Sequence, residues 1–175
     1  MSQITAKDIT RILHGHFYRA SQIIIPRFTP LHWWECDLWR LSKTGMVDEY
    51  EIKLSVADFK ADAGKERTDW EIGELGHFVK SGPKNKHALL AGSESGPNRF
   101  WFVMPATIAD KVNVPWFAGL IAVESWSGIT VRRRAPKRHS QKWAGDISKL
   151  LMTFYHRYWH HEAVKVETSE PIAEI

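Results

Sequence analysis

Apolar and polar residues alternate along two segments between Trp33 and Leu54, which is the period-two pattern of half-buried β-strands. The two segments flank Lys43-Thr44-Gly45, which predicts a three-residue hairpin loop with glycine in the left-handed position. Such a loop pairs Ser42 with Met46 and thereby fixes the register of both strands. One face of the predicted hairpin is apolar and suited to cover by helices, whereas the other face carries acidic side chains and a lysine.

The pattern outside the hairpin predicts helices before, between and after further strands. Strands are predicted at residues 22–28, 99–104, 118–124 and 129–133. Helices are predicted at residues 4–19, after residue 55, at 84–90, at 106–111 and at 146–160, and residues 67–81 predict a helix or a lid. The order helix, three strands, helix, strand predicts an α/β fold with a mixed central β-sheet flanked by helices.

Two of these helices have cap signals. Thr5 is a candidate cap for the first helix, and Ser55 precedes Asp58 by the three positions of a capping box. On the helix after Ser55, the side chains of Lys60, Asp62 and Lys65 are expected on the more exposed side.

Composition limits the class of protein. A chain of 175 residues with 43% apolar and 12% aromatic residues suits one compact domain, which we expect to span residues 1–163, followed by an acidic, flexible tail at 164–175. Cys36 is the single cysteine, which excludes an internal disulfide and a thiolate zinc site. Since no apolar run reaches the ~20 residues of a membrane span and no leader pattern is present, we expect a soluble cytoplasmic protein.

Positive charge is clustered along the chain. The formal net charge is only +4, yet one basic run covers residues 132–139 and another covers residues 80–87. A basic run is commonly a solvated surface, but beside phosphodiesterase chemistry we interpret it as a phosphate contact. The candidate DNA-binding residues are Lys60, Lys84, Lys86, His87, Arg132, Arg133 and Arg134.

Asp37 and the triplet Glu51-Ile52-Lys53 carry the candidate chemistry. The hairpin register places Asp37 directly opposite Glu51, and the two-residue period of a strand places Glu51 and Lys53 on one face. Two carboxylates can hold a hard divalent cation against a phosphate, and a lysine beside them can contact the attacking water or the phosphate oxygens. Because a slip of one residue would separate the two acids, this hypothesis depends on the predicted turn.

Neighbours on this face offer further groups. The register sets Glu35 opposite Lys53 and Glu49 opposite Trp39. A pairing of Lys53 with Glu35 is the structural alternative to a catalytic role. The side chains of Trp33 and Trp39 share the acidic face and could stack on a base.

The combined pattern resembles the PD-(D/E)xK nuclease superfamily, also called restriction-endonuclease-like. The similarity rests on the αβββαβ order of elements, the acid on the second strand, and Glu-x-Lys on the third. The run Glu49-Tyr50-Glu51-Ile52-Lys53 and the following residues 55–62 resemble small bacterial and bacteriophage members, and residues 99–105 and 114–121 are similar to later strands of the same group. The resemblance covers about residues 4–125.

The resemblance implies metal-dependent hydrolysis of DNA. Asp37 and Glu51 would hold Mg2+, with Mn2+ as a substitute, and Lys53 would orient water or stabilise the transition state. An endonuclease is favoured over an exonuclease, and symmetric cuts would require a homodimer.

One departure from the family pattern leaves alternatives open. The first helix lacks the glutamate that completes the metal site in many members. Either His14 or His16 substitutes for it, or Glu35 or Glu49 supplies the ligand, or DNA binding survives with weak catalysis. The alternative function is therefore a non-catalytic DNA-binding or repair-complex subunit that retains the nuclease fold, and RNA as the substrate is a weaker third possibility.

Overall fold

The computed structural model describes residues 4–30, 33–68, 70–72, 78–80, 82–92, 95–125 and 128–169. The chain divides into two compact units, Met1–Trp143 and Ala144–Ile175. The first unit ends before the predicted domain boundary at residue 163.

The strands and helices follow one another in chain order, with two 3-10 turns, Tyr18–Ala20 and Asp62–Gly64, between them. The helices are α1 (Ala6–Phe17), α2 (Val56–Ala61), α3 (Lys86–Gly92), α4 (Ala106–Ala109) and α5 (Ile147–Ser169). The strands are β1 (Ser21–Phe28), β2 (Cys36–Ser42), β3 (Val47–Ile52), β4 (Glu66–Arg67), β5 (Trp70–Ile72), β6 (Phe78–Lys80), β7 (Lys84–Asn85), β8 (Arg99–Pro105), β9 (Ala118–Ser125) and β10 (Gly128–Arg133).

Six of these strands form a mixed sheet in the order β1-β2-β3-β8-β9-β10. The pairs β1–β2, β2–β3 and β9–β10 are antiparallel, whereas β3–β8 and β8–β9 are parallel. A parallel pair needs a crossover, and between β3 and β8 the chain supplies one that contains α2, α3 and the short ladder β4–β7. The fold is therefore mixed α/β with helices flanking the sheet, as predicted from the sequence.

The two faces of the sheet bury different clusters. On one face Ile9 and Leu13 of α1 pack with residues of β2, β3, β8 and β9, namely Leu38, Tyr50, Ile52, Val103, Ile121 and Val123. The aromatic core on the other face contains Phe100, Phe102, Phe117, Leu90 and Trp33. Because strand side chains alternate, Glu49 and Glu51 lie on the second face, beside their β8 partners Phe100 and Phe102.

Both predicted helix caps are confirmed. The backbone N–H of Asp8 donates to the Thr5 hydroxyl and the Asp8 carboxylate accepts from the Thr5 N–H, which completes a capping box for α1. The N–H of Asp58 donates to Ser55 Oγ over 3.0 Å at the start of α2.

Of the two alternatives predicted at residues 67–81, a helix or a lid, the helix is wrong. β5 and β6 pair antiparallel there, with Trp70 opposite Lys80. The helical spacing predicted there runs across both strands, from Ile72 of β5 to Phe78 and Val79 of β6. Gly73 and Gly76, which weaken that helical pattern, lie between the strands and outside the described residues.

The closing helix is longer than predicted. α5 extends to Ser169, so residues 164–169 of the expected flexible tail are helical, and residues 170–175 lie outside the described part. None of the helices in the described part of the chain combines the length and apolarity that a membrane crossing requires.

Candidate functional site

The predicted hairpin register is confirmed. Leu38 pairs with Tyr50 and Trp39 with Glu49, the Ser42 N–H donates to the Met46 carbonyl over 2.8 Å, and Gly45 has φ of +82°. Continued by one residue, this register sets Asp37 opposite Glu51 on adjacent antiparallel strands.

The carboxylate of Asp37 lies against β3. Its Oδ2 accepts a hydrogen bond of 2.7 Å from the Ile52 N–H. Burial and then the negative charge of Glu51 raise the pKa of Asp37. The hydrogen bond to Ile52 holds the Asp37 carboxylate next to the position of Glu51 on β3.

Glu51 lies among three ammonium groups. Its Oε1 contacts Lys86, and its Oε2 lies 3.2 Å from Lys65 Nζ and 3.4 Å from Lys53 Nζ. Burial alone would raise the pKa of Glu51, but the charges of Lys86 and Lys65 lower it overall. Glu51 is therefore held as a carboxylate although it is only 2% exposed.

Lys53 pairs with Asp62, and not with Glu35 as the structural alternative expected. Lys53 Nζ lies 2.6 Å from Asp62 Oδ1, and its backbone N–H donates to the Val103 carbonyl over 2.9 Å. Glu35 is exposed. Lys53 is thus fixed at both its main chain and its tip.

Asp62 is a residue that sequence reasoning misplaced. It was expected on an exposed helix side, but the 3-10 turn after α2 buries it to 1% exposure. Its carboxylate accepts from Lys53, from Lys65 over 2.8 Å and from His87 Nε2 over 2.8 Å. Burial alone would raise the pKa of Asp62, but these hydrogen bonds hold it well below its usual range.

The prediction that Lys86 contacts DNA is wrong. Lys86 is 0% exposed, and its ammonium lies between Glu51 and Glu49 Oε1, the latter at 2.6 Å. His87 is engaged by Asp62, which disfavours the predicted phosphate contact there as well. Lys84 is half-buried in β7, and Lys60 is exposed as predicted. Because α3 begins at Lys86, the helix turns this part of the basic run inward.

The indole of Trp33 donates to Glu49 Oε2 over 2.7 Å. Glu49 is fully buried, which raises its pKa. Trp33 and Trp39 are 5% and 2% exposed, so the expectation that they stack on a base is wrong.

His14 and His16 cannot complete the acidic site. α1 packs through Ile9 and Leu13 on the sheet face opposite Glu49 and Glu51. Both histidines are exposed, His14 stacking on Tyr18 and His16 meeting the edge of Phe17.

The arginines of β10 and beyond are largely engaged within the protein. Arg132 pairs with Glu124 at 2.9 Å, and Arg133 donates to the Val114 carbonyl over 2.8 Å. Arg134 is exposed. Of these three arginines, Arg134 is therefore the best candidate for a contact with DNA phosphate.

Asp37 and Glu51 offer the donor chemistry for a hard cation. Among the described residues, no group of three or more His, Cys, Asp or Glu side chains is arranged around a common metal position. Mg2+, however, is commonly bound by one or two carboxylates, with water and substrate phosphate completing its shell. The register and the hydrogen bond of Asp37 to Ile52 bring two carboxylates to adjacent strands, and this donor set fits magnesium.

Fold and site together define a mixed α/β protein with a buried acid–lysine centre on one sheet face. No protein-family model matches the chain, and no curated protein matches it. A solved structure described as SPO1766 protein of unknown function from Silicibacter pomeroyi is similar with a TM-score of 0.58 and 19% identity, over 99% of this chain and 100% of that chain. At this identity the similarity shows the shared fold alone.

Proposed function

We propose that the protein is a metal-dependent DNA nuclease of the PD-(D/E)xK type. The observation that carries the proposal is the β2–β3 register, which supports a common site for Asp37, Glu51 and Lys53. The topology adds support, because three antiparallel strands followed by a crossover and a parallel fourth strand match the αβββαβ order of that superfamily. Circular DNA is a substrate under this proposal, since an endonuclease is favoured.

The roles of the chain's residues follow from their contacts. A magnesium ion held by Asp37 and Glu51 would supply Lewis-acid activation of water and charge neutralisation at the phosphate. Lys53, held by Asp62, would direct its ammonium at the nucleophile or at the developing charge. Lys65 has a side chain 38% exposed and also contacts Glu51 and Asp62, so it would meet the phosphate from the solvent side.

The test is a cleavage assay with labelled linear, circular and branched DNA and a matched RNA, each with Mg2+, Mn2+ or EDTA. We expect cleavage of DNA with either metal and none in EDTA. Lys53→Ala should lower the single-turnover rate by about 100-fold or more while changing DNA affinity little. Asp37→Asn serves as the matched variant of the metal site. Equal cleavage in EDTA would reject the metal mechanism.

A second candidate is a non-catalytic DNA-binding or repair-complex subunit with the same fold. The observation that favours it is the enclosure of the site, because Glu51 and Lys53 are 2% and 3% exposed and ammonium groups contact both oxygens of Glu51. DNA binding in EDTA, with no cleavage of any substrate in either metal, would select this candidate.

A further inference from the structure

Lys86 has the geometry of a built-in cation. It is the first residue of α3, and its backbone N–H donates to the Lys65 carbonyl over 3.0 Å, next to the β4–β7 ladder. Its ammonium lies 5.1 Å from the centre of the Phe100 ring and is fully buried. A buried ammonium is tolerated only when it is paired, and here Glu49 and Glu51 both supply the pairing.

Both oxygens of the fully buried Glu49 lie against partners within the protein. One of its oxygens accepts from the Trp33 indole at 2.7 Å, and the other lies 2.6 Å from Lys86 Nζ. Asp37, by contrast, is only half-buried, and Glu51 Oε2 has longer contacts of 3.2 and 3.4 Å. The accessible side of the acidic centre is therefore the side of Asp37 and Glu51 Oε2.

The charges of the centre favour a single ion. The carboxylates of Asp37, Glu49, Glu51 and Asp62 outnumber the ammonium groups of Lys53, Lys65 and Lys86 by one, which is an excess of one negative charge. Asp58, with a side chain 51% exposed and 4.0 Å from Lys53, lies at the solvent edge of this group. One divalent ion and one phosphodiester bring that charge to zero. A second divalent ion would leave two positive charges uncompensated in a largely buried site, which is strongly unfavourable.

We propose that Lys86 is a resident cation that takes the place of a second metal ion, so that the site binds one divalent ion, at Asp37 and Glu51. This inference rests on the proposed function. It makes Glu49 the counter-ion of Lys86 and not a metal ligand, which removes Glu49 from the candidates for the ligand that the first helix lacks.

The test is a titration of the purified protein with Mn2+ alone up to millimolar concentration, in which the free ion is counted by electron paramagnetic resonance. We expect one Mn2+ per chain. Glu51→Gln should weaken binding by at least about tenfold. The charge-conserving double variant Glu49→Gln/Lys86→Met should keep one site that binds Mn2+ at least as tightly as the wild type, because the net charge of the centre is unchanged and Glu51 Oε1 loses its Lys86 contact. Lys86→Met alone should bind a second Mn2+ through the freed Glu49.

Two Mn2+ per wild-type chain, or a double variant as weak as Glu51→Gln, would overturn the inference and leave the nuclease proposal intact. No bound Mn2+ in the folded wild type would overturn the inference, and the cleavage assay with Mg2+ and Mn2+ would then decide the nuclease proposal separately. If circular dichroism shows that the Lys86 variants are unfolded, the number of Mn2+ ions bound per wild-type chain still tests the inference.

Discussion

At the scale of single residues, Asp62 connects the candidate catalytic lysine to the rest of the site. Its carboxylate accepts from Lys53, Lys65 and His87, and it is buried. Removing one member of a buried charge network leaves the others uncompensated. Asp62 is therefore both a stability determinant and the residue that positions Lys53.

Asp62→Asn should lower the free energy of unfolding at neutral pH by about 3 kcal/mol or more. The folded-state pKa of Asp62 is depressed, so its stabilisation is present above the unfolded pKa and is lost as the pH falls. The difference between wild type and variant should thus shrink below about pH 4. Urea unfolding from pH 7 to pH 2.5 measures this. Asp58→Asn is the control, because the Asp58 side chain is 51% exposed and its 4.0 Å separation from Lys53 is too long for a hydrogen bond. A difference that is constant with pH would contradict the assignment.

Arg27 is strained next to the site. It has φ of +46°, a conformation that costs a non-glycine residue roughly 1–2 kcal/mol. Its flanking pairs, Pro26 with Leu38 and Phe28 with Cys36, set it opposite Asp37.

Arg27→Gly should raise the free energy of unfolding by about 0.5–1 kcal/mol, since relief of the strain exceeds the entropic cost of glycine. Gln22→Gly, at an exposed β1 position without positive φ, should lower it by a similar amount. Thermal unfolding of both variants decides, and destabilisation by Arg27→Gly would show that its side chain stabilises the fold.

At the scale of elements, the β3–β8 crossover supplies most partners of the acids on β3. Asp62 and Lys65 follow α2, and Lys86 and His87 begin α3. The Ser55 cap fixes where this crossover begins. A change in where α2 begins should therefore displace Asp62 and Lys65 from the acids of β3.

Ser55→Ala should lower the free energy of unfolding by about 1 kcal/mol, because the Asp58 N–H loses its acceptor. It should also reduce cleavage more than DNA binding, because α2 leads directly into Asp62. Ser55→Asp, which can still cap the helix, should restore both properties. If Ser55→Asp behaves like Ser55→Ala, the cap is not the cause.

The β2–β3 hairpin could be predicted from sequence because its register depends on a local turn. Gly45 and the alternation on either side are enough to align Asp37 with Glu51. The roles of Asp62 and Lys86 could not be predicted in this way. Both are charged residues in polar segments of the chain, and their burial depends on how the crossover packs against the sheet, which no local spacing records.

At the scale of the whole molecule, the basic residues divide between structural and exposed positions. Arg138 donates to the carbonyls of Leu90 and Pro97, and Arg133 to that of Val114, so these charges hold loops and helix ends. Lys60 and Arg134 are exposed. We expect the exposed group to dominate phosphate contact.

The double variant Lys60→Gln/Arg134→Gln should flatten the dependence of log affinity on log salt by roughly 0.9 per lost duplex phosphate contact. Arg132→Gln, whose guanidinium is held by Glu124 and Asp110, should change the slope less. Fluorescence anisotropy with one duplex DNA, at salt concentrations from about 50 to about 300 mM, measures the slope for each variant. Equal slopes for the wild type, the double variant and Arg132→Gln would show that DNA binds to a surface that does not include Lys60 and Arg134.

The order in which the crossover leaves the ribosome has a consequence for the nascent chain. Glu51 emerges 35 residues before Lys86, its buried counter-ion. Until Lys86 has been synthesised, enclosing β3 would bury carboxylates without their compensating charge, which is strongly unfavourable. The acidic side chains of β3 should therefore remain solvated until α3, which begins at Lys86, has been synthesised. A nascent chain that ends before Lys86 cannot assemble the site.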